Sequence, residues 1–175
     1  MQRIHLTAAV VVAGLLGAAA AVAQQPFTEA SYPERGFAAS FPGTPKLVSS
    51  AIAGKNPLGY YEYSVIADKN TYEIVVMQFS RGRGPTDPGT AYFDPLVDNF
   101  ADGTHSKVQS RASVVLAGKT GAEATYAAPE RDRYWLVDLI ADNNDRVFLI
   151  ASIGPKGHEA SADAKRFRDS FKLLP

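Results

Sequence analysis

Two segments near the carboxyl end of this 175-residue chain are apolar on both sides of an extended backbone. A sheet with one face in water would place polar residues at alternate positions of its strands. In residues 134–141, one side carries Trp135, Val137 and Leu139 and the other carries Tyr134, Leu136 and Ile140; in residues 146–153, Phe148 and Ile150 oppose Val147, Leu149 and Ile153. Both faces of the resulting sheet therefore need to be covered by other elements.

Further strands are predicted wherever alternating β-branched and aromatic residues lie between turn-forming residues. Residues 24–35 are expected to be an irregular lead-in to these strands. Gly118 and Gly121 are expected to take positive φ values in a tight turn. The predicted strands cover residues 37–41, 46–52, 60–67, 71–79, 107–116, 122–126, 134–141 and 146–153.

Two segments have the period of an amphipathic helix instead. Apolar residues form one stripe between Tyr92 and Phe100, and Gly103 suits the end of that helix. Ser161 is a suitable cap for a final helix, whose inward face would include Phe167 and Phe171. The fold predicted is an α+β, α/β/α sandwich: a twisted, mostly antiparallel sheet of about six to seven strands, flanked by two helices. This is favoured over a hollow, lipocalin-like barrel.

Residues 1–23 are typical of a cleaved signal peptide. Arg3 precedes an apolar run at 8–17, and Ala21-Val22-Ala23 is a site of small residues that suits signal peptidase. The apolar run is too short and too rich in alanine for a membrane span of about 20 residues. We therefore expect a bacterial protein exported by the Sec route, periplasmic or secreted, with no stable membrane span after cleavage. Residues 36–175 form its single predicted domain.

Composition excludes several classes of function. The chain has no cysteine, which excludes disulfides, thiol catalysis, cysteine-ligated metals and a lipid-modified cysteine. Removing the signal leaves 17 basic and 18 acidic residues, so nucleic-acid binding by a basic face is not supported.

The order of several short motifs resembles that of small exported bacterial domains of the PsbP-like superfamily. These motifs lie at residues 36–45, 118–123, 146–150 and 164–173. The resemblance implies an α/β/α sandwich and a role as a non-catalytic accessory, assembly or binding protein. It supplies no catalytic signature, and the histidines that bind metal in some members have no match here. A photosynthetic role is not implied.

No catalytic, metal or cofactor site is predicted. His105 and His158 lack the spacing of metal ligands, and neither a nucleophile elbow nor a phosphate-binding loop occurs. Residues 142–145 could offer oxygen ligands to calcium, but a hairpin turn explains them fully. An unrecognised hydrolase using His105, His158 or Asp138 stays as an alternative.

Asp138 interrupts an otherwise apolar strand. A buried carboxylate needs an opposite charge, and we predict a buried ion pair with Arg146, with Arg133 and Arg111 as alternatives. Exposure of Asp138 at a strand edge would explain the sequence equally well.

The predicted partner surface consists of Tyr61, Tyr63, Arg81 and Arg83. Tyrosine is enriched in recognition patches. However, side chains alternate between the two faces of a strand, so at least one face of the predicted hairpin at 60–79 lies in the core together with its tyrosines. The function predicted is a non-catalytic periplasmic or secreted protein that binds an unknown protein partner in the cell envelope. A carrier or sensor of a small ligand, using a pocket between helix and sheet, is the main alternative.

Overall fold

The computed structural model describes residues 26–51, 57–85, 89–142 and 145–175. The predicted signal peptide, residues 1–23, lies outside the described residues. Described strands and helices are β1 (Thr28–Tyr32), β2 (Phe37–Phe41), β3 (Lys46–Ala51), β4 (Gly59–Ala67), β5 (Asn70–Gln78), α1 (Asp94–Thr104), β6 (Lys107–Leu116), β7 (Lys119–Ala128), β8 (Arg133–Ala141), β9 (Arg146–Gly154), α2 (Ala162–Asp169) and β10 (Lys172–Leu173).

The main sheet has seven strands in the order β3-β4-β5-β9-β8-β7-β6, and all its neighbouring strands are antiparallel. Each face of this sheet carries its own apolar core. On the α1 face, Val147 and Ala151 are buried together with Val97 of α1. On the α2 face, Phe148 and Ile150 are buried with Phe167. The prediction of a sheet buried on both sides is therefore confirmed.

A second, three-stranded sheet was not predicted. Its order is β1-β2-β10, and it packs with α2 on the α2 face of the main sheet. The prediction of an irregular lead-in at 24–35 was wrong, because Thr28–Tyr32 pairs along its whole length with β2. Most of β1 is exposed or half-buried, so its sequence lacks the apolar alternation that reveals a strand. Two helices alone thus do not cover the sheet.

The two helices begin close to their predicted positions. In α1, Val97 and Ala101 are buried, and the helix ends on His105, whose φ of 49° is left-handed, two residues beyond the predicted Gly103. In α2, the hydroxyl of Ser161 accepts a hydrogen bond from the amide of Ala164 at 3.1 Å, which confirms the predicted cap. Phe171 follows the helix rather than lying in it.

The hairpin between β6 and β7 turns at two residues only. Ala117 and Gly118 have φ values of 48° and 75°, as in the mirror-image turns that suit the twist of a hairpin. Gly121 was predicted to share this turn, but it lies within β7. A Cβ atom there would come 2.1 Å from the carbonyl oxygen of Leu139. Close backbone approach, rather than positive φ, requires this glycine.

Candidate functional site

A loop at one end of the main sheet is folded around the side chain of Asp145. The backbone amides of Gly82 and Gly84 donate hydrogen bonds to its two carboxylate oxygens at 2.7 and 2.8 Å. These bonds hold the pKa of Asp145 below its usual range. The amide of Phe79 also donates to the carbonyl of Asp145 at 2.8 Å. Asp145 therefore occupies the kind of backbone concavity that elsewhere binds an anion.

Arg81 and Arg83 project from this loop, and both are exposed. Neither guanidinium forms a salt bridge with another described residue. Asp145 therefore holds the backbone of the loop that carries these two exposed cations. Residues 86–88, which continue the loop, lie outside the described residues.

The two tyrosines of the predicted partner surface are not equivalent. Tyr63 is only 2% exposed and its ring contacts Tyr32 and Phe37, so its inclusion in a surface was wrong. Tyr61 is half-buried, and the guanidinium of Arg35 lies 3.7 Å from the centre of its ring. Because side chains alternate along a strand, Tyr61 and Tyr63 both lie on the α2 face of β4, and the small sheet covers this face.

The predicted ion pair between Asp138 and Arg146 does not form. Arg146 instead pairs with Asp142, four residues earlier, and both side chains are largely buried. The guanidinium lies so close to Gly36 that a Cβ atom there would meet it at 2.0 Å. Arg146 was the wrong partner because Asp142, in the turn before β9, is much nearer to it. Asp142 and Asp145 are both bonded to protein groups, while residues 143 and 144 of the predicted turn lie outside the described residues.

Asp138 is buried on the α2 face, where it is 1% exposed. Neither of its carboxylate oxygens has a hydrogen-bond partner among the residues that the structure describes. The nearest cation is Arg168 of α2, whose Nε lies 4.0 Å from Oδ2. Arg168 also donates to Glu123 at 2.5 Å and to Asp169 at 3.3 Å. Burial raises the pKa of Asp138 to about 7, and the attraction of Arg168 only partly offsets this effect.

Sequence reasoning missed both Glu123 and Arg168 as neighbours of Asp138. Glu123 lies directly opposite Asp138 in the pairing of β7 with β8. The register of this hairpin, in which Ala128 pairs with Arg133 across a short turn, could have revealed Glu123. Arg168 could not be assigned in this way, because the docking of α2 depends on tertiary packing.

Two neighbouring cavities lie on the α2 face of β7 and β8. The smaller, of about 250 Å³, includes Glu123, Thr125, Leu136, Glu159, Lys165 and Arg168 in its wall. The larger, of about 560 Å³, includes His105, Lys107, Ala127, Glu130, Tyr134 and Lys156. Thr125 pairs with Leu136, and Ala127 pairs with Tyr134. The two cavities therefore lie over neighbouring residue pairs on the same face of β7 and β8.

His158 forms a buried hydrogen bond with Ser152, at 2.7 Å between Nε2 and Oγ. This resembles the serine and histidine pair of a hydrolase, but neither residue lines either cavity described above. Burial lowers the pKa of His158. The centre of the Tyr72 ring lies 5.7 Å from the centre of the His158 ring. The pair joins the 3₁₀ turn His158–Ala160 to β9, which gives it a structural role.

Within the described ranges, no three acidic or histidine side chains converge closely enough to hold a metal ion. The same part of the chain contains no helix that is long and apolar enough to cross a membrane.

The architecture defined by these elements is an antiparallel sheet with one helix on one face and a helix plus a small sheet on the other. No family model matches the sequence, and no curated protein matches it. Among solved structures, the chain is similar to cyanobacterial PsbP (CyanoP) from Synechocystis sp. PCC 6803, with a TM-score of 0.55 and 11% identity. The match covers 92% of this chain and 100% of that one. The protein thus has a PsbP-like fold, as the motif order predicted.

Proposed function

We propose that this chain is a non-catalytic accessory protein of the bacterial periplasm or exterior, which binds an acidic surface of a protein in the cell envelope. The observation that carries this proposal is the loop of Arg81 and Arg83. Its backbone is held by the Asp145 carboxylate, while both guanidinium groups remain exposed. A binding loop that is already ordered loses less conformational entropy when its partner arrives.

Several features support this role over catalysis. The Ser152 and His158 pair is buried beneath the turn that it holds, away from both cavities. His105 is exposed, and its carbonyl accepts a hydrogen bond from Arg131 at the end of α1. The features of residues 1–23 support export, and the PsbP-like fold is consistent with an accessory role.

The proposal can be tested with a photoreactive amino acid at position 83 of the full-length protein, produced in its native cells. Position 69 is the matched control, because Lys69 is also exposed but lies in the turn at the other end of the β4–β5 hairpin. We expect irradiation to give an adduct of defined mass from position 83 and not from position 69. The double charge reversal of Arg81→Glu with Arg83→Glu should weaken binding of the same partner, as should raised salt. An adduct formed equally from both positions, or one unaffected by charge reversal, would contradict the proposal.

A second candidate function is a carrier of a small organic anion. The observation that favours it is the 560 Å³ cavity, which is within the usual size range of ligand sites and has Lys107, Lys156 and Tyr134 in its wall. Native mass spectrometry of the gently purified protein distinguishes the two functions. A small stoichiometric added mass that is lost in Lys107→Met would support the carrier, whereas a second protein chain in the complex would support the accessory role.

A further inference from the structure

The buried carboxylate of Asp138 is the least satisfied polar group that the described part of the chain contains. Both its oxygens lack hydrogen-bond partners, although the residue is 1% exposed. Burying an ionised carboxylate without hydrogen bonds is strongly unfavourable, so such a group takes up a proton or draws a cation toward it. Either response changes the charge that the neighbouring side chains experience.

Among the described residues, the one cation within 4.0 Å of Asp138 is already shared. Arg168 donates from Nη1 to Oε2 of Glu123 at 2.5 Å, while its Nε remains 4.0 Å from Oδ2 of Asp138. Because Glu123 and Asp138 are directly opposed across the antiparallel pair, their Cβ atoms are about 5 Å apart. The same Nε also donates to Asp169 at 3.3 Å. A small movement of the guanidinium away from Glu123 and Asp169 is therefore enough to bring it into hydrogen-bond contact with Asp138.

The charged groups around Asp138 come from three elements. Strand β7 supplies Glu123, and α2 supplies Arg168, Asp169 and Lys165, the last bonded to Asp169 at 2.7 Å. The 3₁₀ turn before α2 supplies His158 and Glu159. On β9, Ile150 lies directly opposite Asp138, whereas Arg146, four residues earlier on the same face, is paired with Asp142. Strand β2 contributes the uncharged residues Phe37–Phe41.

Among these groups, Asp138 is the carboxylate expected to change charge near neutral pH. Burial raises its pKa to about 7, whereas the pKa of Asp169 lies below its usual range because of Lys165 and Arg168. Burial also lowers the pKa of His158, so that ring is neutral when Asp138 loses its proton.

We propose that Asp138 is a proton-binding site that controls Arg168: protonated, it leaves the guanidinium on Glu123, and ionised, it draws the guanidinium inward. Arg168 and Glu123 both line the 250 Å³ cavity, so the exchange changes the shape and charge of that cavity. The exchange also changes the contacts that the end of α2 makes with β7 and β8. This inference does not depend on the proposed binding of Arg81 and Arg83, which lie in a different loop.

Nuclear magnetic resonance of the intact mature protein tests the exchange. The carboxyl carbon of Asp138 and the Nε–Hε group of Arg168 are followed between pH 4 and 9. We expect both to titrate with one shared midpoint near pH 7. In Asp138→Asn the Arg168 signal should stay at its low-pH position throughout. A wild-type Arg168 signal that does not follow the titration of Asp138 would overturn the proposal.

A second variant makes the test independent of any folding defect in the first. Glu123→Gln removes the competing carboxylate together with its charge, which itself raises the pKa of Asp138. The Asp138 midpoint should therefore fall by about one pH unit or more, and the Arg168 Nε–Hε signal should move to its high-pH position at the same lower pH. Glu29→Gln is the matched control, because Glu29 is an exposed carboxylate paired with Lys172 on the small sheet. An unchanged Asp138 midpoint in Glu123→Gln would show that the two carboxylates do not compete for Arg168.

Discussion

The rings of Phe37 and Phe171 are stacked, with their centres 6.0 Å apart and their planes 11° from parallel. Phe37 begins β2, and Phe171 follows the end of α2. Both rings also contact Phe148 of the main sheet, at 6.1 and 5.3 Å between centres. The small sheet and α2 are thus joined to the main sheet through one aromatic cluster.

Replacing Phe171 with alanine should destabilise the protein strongly. The side chain is almost fully buried, so the change removes apolar contacts and leaves a cavity, at a cost of about 3–5 kcal/mol. A urea melt measures the loss. The control is Val115→Ala, since Val115 is 72% exposed and should change the free energy of unfolding by less than about 0.5 kcal/mol. Equal effects from the two variants would show that Phe171 is not docked as described.

Arg146→Met should cost far more stability than Arg111→Met. Arg146 shares a largely buried ion pair with Asp142, and breaking such a pair typically costs about 3–5 kcal/mol. Arg111 pairs with Asp98 at the surface, where solvent screening makes the contribution of the pair small. Chemical denaturation of both variants gives the comparison. A loss from Arg111→Met as large as that from Arg146→Met would contradict the assignment of burial.

Asp145→Ala should release the loop that carries Arg81 and Arg83 without unfolding the sheet. The amides of Gly82 and Gly84 lose their acceptor, so their hydrogen exchange should become faster. The same contact should weaken in wild type as the pH falls through the lowered pKa of Asp145, since the protonated carboxyl accepts less well. Asp102→Ala, at an exposed position of α1, is the control and should leave both amides unchanged.

Gly121→Ala and Gly118→Ala should differ in severity, although Gly118 lies in the hairpin turn and Gly121 is only three residues further along the chain. A methyl group at position 121 would collide with the backbone of Leu139, which forces β7 and β8 apart. At position 118 there is open space, and the penalty is only the strain of a positive φ, about 1–2 kcal/mol. Thermal melting should therefore show a larger loss for position 121. The reverse order would mean that the strands are further apart than described.

The stability of the wild type should fall as the pH rises from about 4 to about 7, relative to Asp138→Asn. The folded state raises the pKa of Asp138 from 3.8 to about 7, so it binds this proton more tightly than the unfolded chain does. The resulting stabilisation is complete below pH 4 and is lost through pH 7, by at most about 1.4 kcal/mol per pH unit. Urea melts across this range measure the difference. Parallel pH profiles for the two proteins would contradict burial of the charge.

Much of the fold follows from local pattern. Alternation predicted both long hairpins almost to their ends, and Ser161 correctly indicated the start of α2. The strand β1 escaped prediction because its buried contacts involve few of its side chains. The sequence predicted the partner surface only in part. Nothing in the local sequence distinguishes the buried Tyr63 from the half-buried Tyr61.

The sequence alone determined that the main sheet is buried on both faces, because a strand with apolar residues at every position is stable only between two layers. It also indicated where the hairpins turn, because turn-forming residues act locally, although it placed Gly121 in a turn rather than in β7. Only the tertiary structure decided the polar contacts that define the candidate sites. Arg168 meets Glu123 across 45 residues of chain, and Gly84 meets Asp145 across 61. Such pairs form because packing of the apolar core brings distant segments together, and no local pattern records which charges will then be neighbours.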